Sequence, residues 1–156
     1  MTNNDILRRL RYALEINDSE VAKIFAHVGD DLDPDQVRSW LRREDQNHFE
    51  VLSEHMLCRF LDGLIIEKRG PRPDGAIPKP PEHLSNNEIL KKLRIALNLR
   101  EEEMMAVFEL EEFVVTKAEL GSFFRKESQR NYSKCPEQVL RKFLQGLGKK
   151  ASLEES

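Results

Sequence analysis

The sequence predicts an all-α fold made of two tandem, internally duplicated four-helix units, each with a helix-turn-helix-like centre. Three observations lead there. A shift of 83 residues, which carries Thr2 onto Ser85, aligns the two halves without a gap. Apolar residues recur at helical spacing in each half, and no run alternates apolar and polar residues between turn signals. Between the halves lies GPRPDGAIPKPP, residues 70–81, which holds five of the seven prolines and cannot be helical. The expected organisation is a first unit at 1–69, a semi-rigid Pro-rich linker at 70–84, a second unit at 85–148 and a flexible polar tail at 149–156.

The repeat is close in both charge and shape. TNNDILRRLRYAL from Thr2 faces SNNEILKKLRIAL from Ser85, with Thr against Ser, Asp against Glu and Arg against Lys. Later, Ser39-Trp40-Leu41-Arg42-Arg43-Glu44 faces Ser122-Phe123-Phe124-Arg125-Lys126-Glu127. Near the ends Leu57, Phe60, Leu61, Gly63 and Leu64 recur identically as Leu140, Phe143, Leu144, Gly146 and Leu147.

Caps and apolar stripes divide each unit into four helices. Helix one opens on a capping box, Thr2 with Asp5 and Ser85 with Glu88, and buries Ile6, Leu10, Ala13 and Leu14 or their equivalents Ile89, Leu93, Ala96 and Leu97. Helix two is expected from about Asp18 to Val28, with Gly29 as its stop. Helix three starts behind Asp33, with Pro34 in the first turn and Gln36 closing a box, and its equivalent starts behind Thr116 with Glu119. Helix four carries Leu57, Phe60, Leu61 and Leu64 on one stripe.

Composition narrows the class of function. A 39% hydrophobic and 34% charged chain of 156 residues reads as soluble and globular. No stretch reaches the length of a membrane span, and the polar residues after Met1 show no secretory signal, so a cytoplasmic home is expected. Cys58 and Cys135 stand in no paired motif and are expected as reduced thiols.

The NN[DE]IL[RK][RK]LR opening of both copies, the Pro-rich joint and the FRKE…NY…C…VLRKFLQGL ending resemble the YehS-like proteins, a bacterial family built on a duplicated domain of unknown function. The resemblance spans nearly the whole chain. It implies the duplication and supplies no catalytic residue.

A search for catalytic or metal sites finds none, and no cofactor is expected. His55 and Cys58 lie three residues apart on helix four, but two ligands are too few for zinc and their repeat equivalents are Gln138 and Arg141. His27, His48 and His83 lack partners at ligand spacing, and there is no glycine-rich phosphate loop. A nucleophile, a base and a stabiliser converging on one pocket are not visible, so a non-enzymatic binding protein is expected.

Helix two, its turn and helix three resemble a helix-turn-helix, though the connection is longer than usual. The outer face of helix three and the turn after it present Arg38, Ser39, Arg42, Arg43 and Gln46, matched in the second unit by Ser122, Arg125, Lys126, Gln129 and Arg130. Arginine and lysine there would contact phosphates, and serine or glutamine would reach base edges. The same residues also suit a solvated face beside a core stripe. Trp40, Phe123 and Phe124 are expected in the core, and Arg11 and Arg94 are expected to pair with Glu20 and Glu103. Charge is divided: residues 1–69 hold 10 Lys and Arg against 14 Asp and Glu, net −4, and 86–156 hold 13 against 12, net +1. Nucleic acid is therefore the first candidate partner and another protein the second, with no membrane partner.

Overall fold

The computed structural model describes residues 1–155. Eight α-helices are present among them and no strand: α1 (Asn3–Leu14), α2 (Asp18–Ala26), α3 (Pro34–Leu41), α4 (Glu54–Arg69), α5 (Asn86–Ala96), α6 (Glu101–Glu109), α7 (Lys117–Phe123) and α8 (Glu137–Glu155). Each helix of the second set starts 83 residues after its counterpart, as Asn3 and Asn86 do, so the duplication holds helix by helix.

Local signals set most of these ends. Thr2 accepts a hydrogen bond from the Asp5 amide at 3.0 Å while Asp5 accepts from the Thr2 amide at 2.9 Å, and Thr116 and Glu119 close the same box on α7. Four ends depart from expectation. Ser85 accepts from the Glu88 amide at 3.1 Å, but no reciprocal bond from the Ser85 amide to the Glu88 side chain forms among the described residues, so α5 opens on half of the expected box. Asp33 caps α3 by accepting from the Asp35 amide, leaving Gln36 to donate to Ser39 Oγ and to Glu50. Helix α2 stops at Ala26 and the chain turns through Gly29, whose φ of +88° suits only glycine. The tail expected from Lys149 is helical through Glu155, much as α4 in the first unit runs on to Arg69.

Inside each unit the second and fourth helices touch backbone to backbone. A Cβ placed on Gly63 would lie 2.2 Å from the Ile24 carbonyl oxygen, and one on Gly146 would lie 2.3 Å from that of Val107. Ile24 and Val107 are themselves repeat equivalents. Both glycines therefore keep α4 against α2 and α8 against α6 at a separation that no side chain permits. Around this contact Phe25 packs on Trp40 and on Phe60, each with ring centroids 5.5 Å apart, and Phe108 packs on Phe143 at 5.5 Å.

The double asparagine that opens each repeat ties the segment between the third and fourth helices. Buried Asn4 donates to the carbonyls of Trp40 at 2.9 Å and Glu50 at 2.8 Å, and accepts from the Leu52 amide at 3.0 Å. Asn87 does the same with Phe123, Ser133 and Cys135. Asn3 and Asn86 add bonds to the carbonyls of Leu52 and Cys135. Both arms of a primary amide serve an irregular segment that would otherwise bury unpaired backbone groups, at about 1–3 kcal/mol each.

The units are not beads on a spacer. Helix α1 packs most extensively on α8, and α5 on α4, so each unit's first helix lies on the other unit's last. One apolar core runs through both units, including fully buried Leu7 and Leu90, which the expected stripe of helix one omits. Arg11 meets Asp18 at 3.4 Å instead of Glu20, and Arg94 donates to the Leu99 carbonyl instead of meeting Glu103. The reason is local: Glu20 and Glu103 turn back to accept from the amides of Asn17 and Arg100 at the start of their own helices.

Replacing Gly63 or Gly146 by alanine is expected to lower stability by about 1–3 kcal/mol or more, because a buried backbone must move to admit the methyl group. Gly121 is also helical but has nothing within 4 Å of its Cβ position. Gly121→Ala should be neutral or stabilising by up to about 1 kcal/mol. Urea midpoints of the three variants check the contrast.

Candidate nucleic-acid interface

The candidate residues lie on α3, on α7 and on the loops that follow them. Each loop is built alike. The amide of Arg43 donates to Gln46 Oε1 at 2.7 Å and that of Lys126 to Gln129 Oε1 at 2.8 Å, while His48 and Asn131 adopt left-handed φ values of 65° and 68°. Gln46 and Gln129 thus staple their own loops. Seven residues, 27–33 and 110–116, separate the second helix from the third in each unit, a longer joint than a compact helix-turn-helix has.

Both serine hydroxyls are tied to the helix that carries them, Ser39 in the interior and Ser122 at a half-exposed position. Ser39 is only 5% exposed, and its hydroxyl donates to the Gln36 carbonyl at 2.5 Å. Ser122 makes the equivalent bond to Glu119 at 2.6 Å. Both serine carbonyls accept from the returning loop, at Glu50 and Ser133 respectively. Their carbonyls thus fold the loop back on the helix, while their hydroxyls are bonded within their own helices.

The two units diverge in how their basic residues are satisfied. In the first, Arg38 meets Asp35 at 2.7 Å, Arg43 meets Asp45 at 3.8 Å, and half-buried Arg42 donates to the His48 carbonyl at 3.4 Å. Asp33, Asp35 and Glu50 line the hollow beside Arg42. In the second unit the side chains of Arg125, Lys126 and Arg130 are exposed and make no hydrogen bond or ion pair among the described residues. Lys91 of α5 joins Arg125 and Lys126 around a hollow of about 120 Å³, which Phe124, Tyr132, Glu88 and Glu127 also line. Phe123 is buried in the core as expected, whereas Phe124 is half-buried under the Arg94 guanidinium, 4.7 Å from its ring centroid. The signal that sequence reasoning missed was Lys91, which belongs to helix one and comes to this loop only through the fold.

The thiols and histidines stand apart from this site. His55 is exposed while Cys58 points inward, so the pair does not converge. No group of three or more His, Cys, Asp or Glu side chains among the described residues could hold a metal ion. Burial, then the neighbouring Asp62 carboxylate, pushes the Cys58 thiol up to about 11, and burial pushes Cys135 up to about 12. Both are kept as unreactive neutral thiols. At about pH 8, near the ordinary thiol pKa of about 8.5, Ellman's reagent should leave both unmodified in the native protein and modify both in denaturing guanidinium.

Comparison with known proteins agrees with the internal duplication. A family model described as protein of unknown function (DUF1456) matches twice, over residues 3–70 and 86–151. The uncharacterized protein YehS of Escherichia coli (strain K12) is 37% identical over 147 residues, covering 94% of each chain. No solved structure matches the chain significantly. Two family matches that between them take in seven helices whole and α8 as far as residue 151, with a relative of this identity over nearly the full length, make this chain a member of the DUF1456 family.

Proposed function

We propose that this chain is a non-enzymatic binding protein that holds the phosphate backbone of nucleic acid through the second unit. One observation carries the reading: Lys91, Arg125 and Lys126 converge on one hollow with aromatic neighbours, and Arg125 and Lys126 make no ion pair among the described residues. Arginine and lysine without an ion pair beside half-buried aromatic rings suit a phosphate followed by a stacked base. The first unit contributes less, because acids already hold Arg38 and Arg43. Binding of this kind positions a backbone and reads little sequence, since Ser39 is buried and the hydroxyls of both Ser39 and Ser122 are already bonded within their own helices. The net charge of −3 makes binding depend on this local patch and hence strongly on salt.

A second reading, a protein-binding adaptor, is favoured by the open groove between α1 and α8 taken up below. No helix is long and apolar enough to cross a membrane among the described residues.

A labelled oligonucleotide titrated by anisotropy at about 50 mM salt, where non-specific electrostatic binding is already strong, tests the proposal. Combined Arg125→Ala, Lys126→Ala and Arg130→Ala should weaken binding across sequences and flatten the salt slope by about 0.9 for each phosphate that is no longer neutralised. Arg42→Ala with Arg43→Ala should do so less. Absence of affinity in the unaltered protein for either single- or double-stranded nucleic acid would overturn the reading and leave the adaptor in its place.

A further inference from the structure

The internal symmetry supplies a comparison that no single groove would. Helices α4 and α5 enclose a groove of about 350 Å³, and α8 and α1 enclose its repeat equivalent, of about 470 Å³. In the first groove Lys92 Nζ sits 2.6 Å from Asp62, whose side chain is only 2% exposed, and Arg72, Ala76 and Pro78 of the Pro-rich linker wall the outer side. In the second groove Arg9 takes the place of Lys92 and neutral Gln145 that of Asp62. Among the described residues no Pro-rich segment lines it.

Three features are left unanswered at the α1/α8 groove. Arg9 is half-buried and has neither a hydrogen bond nor an ion pair among the described residues. Gln145 Oε1 is buried without a donor. Tyr12 stands 65% exposed over the floor formed by Leu144 and Gly148. Among the described residues the carboxylate that lines the groove is Glu111, which Lys149 meets as an ion pair at 2.6 Å although the contact lies outside hydrogen-bond geometry.

We propose that the α1/α8 groove is the docking site for an extended, proline-containing segment of a partner protein that brings a carboxylate to Arg9. Its carboxylate plays the part that Asp62 plays for Lys92, and a backbone N–H of the segment donates to Gln145 Oε1. Its apolar residues cover Tyr12 much as the linker borders Ile95, the repeat equivalent of Tyr12, in the other groove. The extended form follows from the precedent within the chain, since a Pro-rich segment already lies along the related groove with little conformational entropy to lose. The acidic character follows from the uncompensated guanidinium. This surface is separate from the phosphate-binding loop of the second unit.

The probe is a fluorescein-labelled peptide with the sequence of residues 70–81 in which Arg72 and Lys79 are replaced by Glu, titrated by anisotropy against the full chain at low salt. Saturable binding tighter than about 1 mM is expected. Arg9→Glu should weaken it by about tenfold or more, because a charge-assisted bond is removed and a like charge takes its place. Gln145→Asp should weaken it similarly while circular dichroism shows an intact fold, since it installs in this groove the pair that Asp62 makes with Lys92. Combined Arg125→Ala and Lys126→Ala should leave it unchanged, which separates this site from the nucleic-acid reading. The proposal is overturned if the peptide fails to saturate below about 1 mM, if Arg9→Glu binds it as well as the unaltered chain, or if free glutarate displaces it at equal concentration. The last result would mean that a small carboxylate is the occupant.

Discussion

Everything else in the structure depends on the exchange of helices between the two units. Helix α1 is covered by its own unit on one side and by α8 of the other unit on the opposite side, and α5 stands in the same relation to α4. A single four-helix unit of this length buries too little apolar surface to be comfortably stable, and the exchange extends its core. Leu7 and Leu90, fully buried in the shared core, show the result. The arrangement is isologous in form, as in a two-fold dimer, although one chain supplies both halves. The Pro-rich linker therefore closes a dimer-like body and does not separate two free domains.

Within that frame, two pairs of positions and the helix caps hold the repeat to one geometry. Gly63 and Gly146 permit backbone contact, Asn4 and Asn87 tie down the irregular loops, and the capped starts of the helices set their lengths. Other positions have diverged, among them those of the two basic loops and the two seams. An acid-neutralised loop in the first unit answers an unneutralised basic loop in the second. A buried Asp62–Lys92 pair on one seam answers Gln145 and a lone Arg9 on the other. Removing one partner from the buried pair is strongly destabilising, by about 3–5 kcal/mol. Such a pair is a structural commitment on its own seam, and its counterpart is free of it.

Much of this was legible in the sequence, and the limits have physical causes. The ungapped shift and the capping residues disclosed eight helices and their order, because those signals are local. The repeated Asn-Asn and Gly were visible as identities, but their purpose was not, since a tie to residues 50–52 or a contact with Ile24 exists only in three dimensions. Helix one showed a single stripe because spacing alone cannot say that a second helix from the other repeat covers Leu7. The same gap hid Lys91 from the basic loop and turned Ser39 from a candidate base-reading residue into a buried staple. Continuation of α8 past Lys149 could have been read from the repeat itself, since residues 149–152 fall on the last turn of α4.

The claim that the two units form one cooperative body through exchanged helices can be tested on the intact chain. Trp40 is the single tryptophan and lies in the core of the first unit, so its fluorescence reports that unit alone, whereas far-ultraviolet circular dichroism reports helices in both. Urea unfolding followed by the two signals should give coincident transitions with the same midpoint and slope. A fluorescence transition separated from the dichroism transition, or dichroism falling in two steps, would show that the units unfold independently and would contradict the account.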